Sequence, residues 1–418
     1  MLAGLVAGTV AVLTGSPRAS VRAFAAVGAT ADVSVQPAPG GADQADSLQA
    51  ALDNLQAGQR LVLAPGTYVV GHVLAVRGEQ VVVSGYGATL VATNPDEQAI
   101  MMTGANSTLV GVTLTGIGTQ RLESATSTKV AVDGQGIQVL DVNINGGASV
   151  GIFVSRGSSI ALVGNKVHGT LADGIHITGG SRDVLVQDNA VTATGDDMVG
   201  IVSYQRDGVL SQNIYVSGNY LAGNAWGRGV AIVGGADVTV AGNRIEGVQK
   251  AAAVLVAQED GYRTASVTNV LVANNIISDD QNATQPGNDR PAAGHAAIDI
   301  NTGSGAVTQV LVTGNQVTRA RFDGFRAMNN VCGVRVSGNR FAAIGGLALS
   351  LQYRNCTATQ FICDANTLDG VSLAAPPGCS SAGTIPISGA DAGRLPPVRT
   401  SLRQGLQASM PACQARSG

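Results

Sequence analysis

Three aspartates draw attention by their spacing. Asp173 and Asp197 are 24 residues apart and lie eight residues after Asn165 and Asn189, with Asp196 adjoining the second. If the chain returns to the same place every 24 residues, these carboxylates gather at one level. Like charges held together raise one another's pKa, which lets one carboxyl keep a proton while another stays ionised. That division serves general acid and base chemistry. Gly-Asp-Asp is also a good turn sequence, so spacing alone leaves a structural role open. In the run GIHI, period-two alternation turns Ile175 and Ile177 inward and His176 outward, and the matching places further on are Gly200, Ala231, Leu255 and Asp299. A face so nearly bare lets a ligand approach closely. Tyr204 and Arg206 in SYQRDG, and Tyr262 and Arg263 in QEDGYRT, are of the types that stack on sugar rings or hydrogen-bond acidic groups.

The elements that must position these residues are repeats. Asparagines recur in one phrase at 165, 189, 219, 243, 275, 315 and 339, at intervals of 24, 30, 24, 32, 40 and 24 residues. A period of 24 with insertions accounts for the series, which Asn143 and Asn366 extend less cleanly. Each unit holds short β-branched strands and no helix pattern, the signature of a solenoid of about ten stacked coils. An asparagine at one place in every coil fits a turn residue that hydrogen-bonds along the stack. A sandwich has no reason for a fixed period, and a propeller blade needs about 40 to 45 residues. The insertions fall on both sides of the sheet that carries the aspartates, so they wall a groove around the bare strip.

Composition agrees with this architecture. The 418 residues include 56 glycines, only 3% aromatic and 13% charged residues. Glycine serves tight corners, and a narrow interior of Val, Ile, Leu and Ala leaves little room for rings. Residues 43–58 read as an amphipathic helix capping the N-terminal end of the stack, since an uncovered edge invites aggregation. Residues 1–35 read as a signal peptide, residues 36–373 as the solenoid with its cap, and residues 374–418, rich in Pro, Gly and Ser, as a C-terminal cap or tail. Cys332 and Cys356 each lie 17 residues after a marker asparagine, so they stack at about 4.8 Å and should form a disulfide. Cys363 and Cys379 make a weaker second pair, which leaves Cys413. No zinc spacing is present, and the motifs call for no cofactor and no metal. The net charge of −3 and the scattered basic residues speak against a nucleic-acid partner, and no apolar run reaches a membrane span.

The segment LADGIHITGG, then VTATGDDMVGI, then WGRGVAIVGG, resembles the polygalacturonase family of pectin-lyase-like parallel β-helix proteins, whose motifs read NTD, GDD, GHG and RIK. The resemblance implies an all-β, single-stranded right-handed parallel β-helix over about residues 40 to 370. It places Asp173 at the Asp of NTD, Asp196 as general acid, and Asp173 with Asp197 as the carboxylates that activate water, with inversion. Leu171 and Ala172 replace the Asn and Thr of NTD, Arg228 stands where the family has its His, and Lys250 is the cation nearest RIK. His176 takes the missing histidine's place or is a plain surface side chain. Arg228 binds substrate, supports a carboxylate or pairs with a neighbouring Asp. The expected function is a secreted glycoside hydrolase on a polysaccharide. The alternatives are a lyase or C5-epimerase on a uronic-acid polymer and a non-catalytic glycan-binding solenoid.

Overall fold

The computed structural model describes residues 32–281 and 292–403. The segment read as a signal peptide falls outside them up to residue 31, as does Cys413. Val33–Val35 already pairs as a strand with Arg60–Leu63, so the solenoid begins slightly before residue 36.

The described chain winds as a parallel β-solenoid with three sheets of 13, 11 and 13 strands. About 13 turns replace the ten expected. The shortfall arose because the early coils carry no marker asparagine to count. From Asn165 onward the asparagines form a continuous ladder: each backbone N–H and each side-chain Nδ2 donates to the next coil's asparagine Oδ1 at 2.9–3.0 Å, ending at Asn366. Asn366 therefore belongs to the series. Asn143 does not, since Val142 holds that position and donates its N–H to Asn165 Oδ1. Each asparagine buries a side-chain amide, and the ladder satisfies its polar atoms.

Inward-facing Ile175, Ile177, Val199, Ile201, Val230 and Ile232 are fully buried, which confirms the alternation read from the sequence. The outward row of the 11-stranded sheet runs Ala131, Phe153, His176, Gly200, Ala231, Leu255, Asp299 in direct register. One α-helix, Ala45–Asp53, covers the N-terminal end with Ala45, Leu48 and Leu52 buried. It is shorter than expected because Asn54 closes it, its side chain donating to the Ala50 carbonyl. At the other end Phe325, Phe341 and Phe361 fill the core, and both expected disulfides, Cys332–Cys356 and Cys363–Cys379, are formed.

The tail does not stop at that end. Residues 388–403 double back along the outside of the first 13-stranded sheet. Ser388 meets Asn269, Ala390 meets Thr239, Asp391 meets Asn213, and Arg399 reaches Gln138. Arg403 closes the strap with a 2.6 Å ion pair to Asp141. Beneath it Leu395 and Val398 cover an outward apolar stripe that includes Val110, Leu140, Val163 and Leu185.

Candidate active site

Asp173 precedes the strand Ile175–Thr178, and Asp196 and Asp197 precede Val199–Val202, on the next coil of the same sheet. The tight turn before the pair depends on Gly195, where an added Cβ would sit 2.1 Å from the Leu171 carbonyl oxygen. The result is the gathering the period predicted. One oxygen from each of the three carboxyls lies within 4.8 Å of the others.

Each carboxyl has its own partners. Asp173 Oδ2 is 2.6 Å from His176 Nδ1, and its Oδ1 accepts the Asp197 backbone N–H at 3.1 Å. Asp196 Oδ2 meets Arg121 Nη1 at 2.8 Å. Asp197 Oδ1 accepts the Arg228 backbone N–H at 2.7 Å and lies 3.7 Å from that residue's guanidinium, which also pairs with Glu259. Burial pushes the Asp197 carboxyl well above the usual range, Arg228 opposing and the other two carboxylates adding to the rise. Burial and Asp173 likewise raise Asp196, against the pull of Arg121. Burial works against the charge on Arg228, but Asp197, Glu259 and Asp196 more than offset it and raise its pKa. Among the described residues this cluster is the set whose geometry would admit a metal ion. Arg121 and Arg228 already supply its opposite charge, and Asp173 has a donor on each oxygen.

The cluster sits where two cavities meet. One, of about 560 Å³, and a second, of about 300 Å³, share Arg121, Asp173, His176 and Tyr204 in their linings. A third, of about 260 Å³, continues from the second through Glu259 and His295. Together they make a groove over the 11-stranded sheet. The SYQRDG and QEDGYRT loops form one wall and lock to each other, Gln205 N–H donating to the Arg263 carbonyl at 2.9 Å and Tyr204 bridging to Thr264. Residues 116–129, carrying Arg121, form another.

Most candidate residues arrive at this groove. Tyr204 lines both larger cavities, with the Arg206 guanidinium 4.6 Å above its ring. Arg206 lines the largest cavity, and Tyr262 and Arg228 the second. His176 is held against Asp173 rather than free in solvent. Three candidates lie outside the cavities, and one of them, Arg263, is exposed. Lys250 is buried, only 4% exposed. Asp299 occupies the outward row but is covered: its Oδ2 pairs with Arg326 at 2.6 Å and accepts the Ala296 N–H, and burial raises its pKa to about 6 against the pull of Arg326.

Four further residues reach the site: Arg121, Trp226, Glu259 and His295. Arg121 stands 75 residues from its partner Asp196, in a loop that precedes the first laddered asparagine. No periodic count reaches it. Glu259 lies inside the QEDGYRT insertion, where an acidic residue among polar ones carries no mark of its own. His295 is kept neutral, its pKa lowered to about 4 by burial and by Arg228 and Arg326, and its buried Nδ1 has no protein partner.

The catalytic domain of a GH87 alpha-1,3-glucanase in complex with nigerose superposes with a TM-score of 0.61 at 14% identity, over 81% of this chain and 66% of that one. The Dettilon tailspike protein gives 0.54 at 15%, over 76% and 68%. The A-module of a mannuronan C-5 epimerase from Azotobacter vinelandii gives 0.56 at 16%, over 76% and 96%. Likeness at such identities speaks to the fold alone. No curated protein matches the sequence. The model of the right handed beta helix region matches residues 98–258 and 150–341, which together span more than half of the chain. With three parallel sheets in each turn and this match, the chain belongs to the right-handed β-helix family.

Proposed function

We propose that the chain is a secreted glycoside hydrolase acting on a polysaccharide laid in the groove. The observation that carries this reading is the carboxylate cluster at the junction of two cavities, with two members raised by burial and mutual repulsion. Burial and neighbouring carboxylates raise both Asp196 and Asp197, which favours a proton held on this pair. Asp196, the more accessible of the two side chains at 20% against 9%, passes it to the glycosidic oxygen as the bond breaks. Asp173, oriented by His176, draws a proton from the attacking water. The nearest oxygens are closer than the roughly 6.5–9.5 Å across which an inverting pair usually holds its water. Inversion then requires water held to one side of the cluster, and the configuration of the first-formed anomer tests it. Two disulfides suit an oxidising compartment, which supports export.

A second reading has its own support. Arg121, Arg156 and Arg206 line the largest cavity, and guanidinium groups pair well with uronate carboxylates. A lyase or C5-epimerase would use them to neutralise the substrate while a base removes the C5 proton. A screen of the purified protein against neutral and uronic-acid polysaccharides separates the readings. Hydrolysis gives new reducing ends without unsaturation, a lyase gives unsaturated ends that absorb in the ultraviolet, and an epimerase changes the uronate configuration without cutting the chain. Asp196→Asn should lower turnover by about 10²–10⁴-fold. Undiminished turnover would remove Asp196 from the mechanism.

A further inference from the structure

The outward row of the 11-stranded sheet is bare at and beyond the cluster, with Gly200 and Ala231, but carries one ring beside it. Phe153 is half-buried, lies in direct register with His176 and lines the 560 Å³ cavity. The two rings stack at 5.5 Å with an interplanar angle of 17°. His176 is itself fixed by its 2.6 Å contact to Asp173, so the orientation of Phe153 is tied to the cluster. One face of Phe153 is taken by His176. Its neighbour on the preceding strand is Ala131, which has no ring to stack on it, and the half-buried ring opens in part to the cavity. Ser155, Thr178 and Arg156 stand around the same cavity with hydroxyl and guanidinium groups. A flat apolar surface beside convergent polar groups matches a pyranose ring, whose axial C–H groups form an apolar face and whose hydroxyls point to its rim.

We propose that Phe153 is the floor of a sugar-binding subsite next to the carboxylate cluster, and that the glycan passes through the cluster with units bound on both sides. This rests on the reading of the groove as a polysaccharide site. The two other cavities continue on the far side of the cluster, so cleavage falls within a chain rather than at its end. Phe153 touches substrate through its ring face and takes no part in proton transfer.

The test uses the full chain and its single tryptophan, Trp226, which lines the 300 Å³ cavity and reports occupancy by fluorescence. The probe is the glycan from the panel that gives the strongest response, supplied as size-defined oligosaccharides. Phe153→Ala should weaken binding about tenfold or more and shift the cleavage position along the oligosaccharide. Phe153→Tyr should restore both. Phe153→Leu keeps apolar bulk without a flat ring, so it guards against a folding defect and should bind as weakly as the alanine variant. Equal affinity and cleavage pattern in parent, Leu and Ala variants would overturn the subsite while leaving hydrolysis standing. Weakened binding in the Ala and Leu variants of a parent that binds without turnover would leave the subsite standing and overturn hydrolysis. If no glycan in the panel binds, both fall.

Discussion

At the scale of single residues, the site depends as much on what is missing as on what is charged. An added Cβ at Gly200 would lie 3.0 Å from Asp173 Oδ2 and 3.5 Å from His176 Nδ1. A β-branched side chain there would displace both. Gly200→Val should therefore cut kcat by about tenfold or more, through loss of the Asp173–His176 geometry. Steady-state kinetics beside a thermal melt would show it, and parental kcat in a folded variant would mean that the geometry is not needed. The sequence revealed Asp173, Asp196, Asp197 and His176 because a fixed period turns position along the chain into position in space. Arg121 stayed hidden because its loop lies outside that count. Asp299 was placed on the right row, but the covering contact of Arg326 comes from the following coil and leaves no sign in a single strand.

Among the elements, the strand before each asparagine and the strand after it were legible from alternation, and the two insertions SYQRDG and QEDGYRT reach the groove as expected, whereas most of the third, residues 282–291, lies outside the described residues. Where the ladder is absent, early coils are held by other means, one of which is costly. Lys129, at the start of the strand Val130–Val132, is buried and donates only to the carbonyl and side-chain oxygens of Gln98, at 3.3 and 3.4 Å. Burial lowers its pKa to about 7. Below that pH the amine is charged in both folded and unfolded chains and the full penalty applies. Between pH 7 and the unfolded value near 10.4 the folded amine is neutral, and the penalty fades as pH rises. Lys129→Met should accordingly stabilise the protein by roughly 4 kcal/mol at most near neutral pH, with no gain above about pH 10.4. Denaturant melts across that range would reveal the trend, and a gain independent of pH would contradict it.

For the whole molecule, the strap of residues 388–403 was the least legible feature. Its Pro- and Ser-rich composition reads as a tail, because its partners are carbonyls, asparagines and apolar side chains spread over many coils. Ending the chain after Ile387 would uncover the stripe around Leu140, Val163 and Leu185 and strand Asp141 without Arg403. The melting temperature should fall by a few degrees and binding of an apolar dye should rise, with turnover nearly unchanged because the groove lies on another sheet. An unaltered melt would show that the strap adds nothing. Its path also bears on cooperativity. In an ordinary stack each coil speaks only to its neighbours, so an end can fray while the middle stays intact. Here a segment made late in synthesis grips coils made much earlier, from Asn269 back to Asp141. Opening of any one of the coils it grips must then be shared with the others, and those coils reach their final state only once residue 403 has been made.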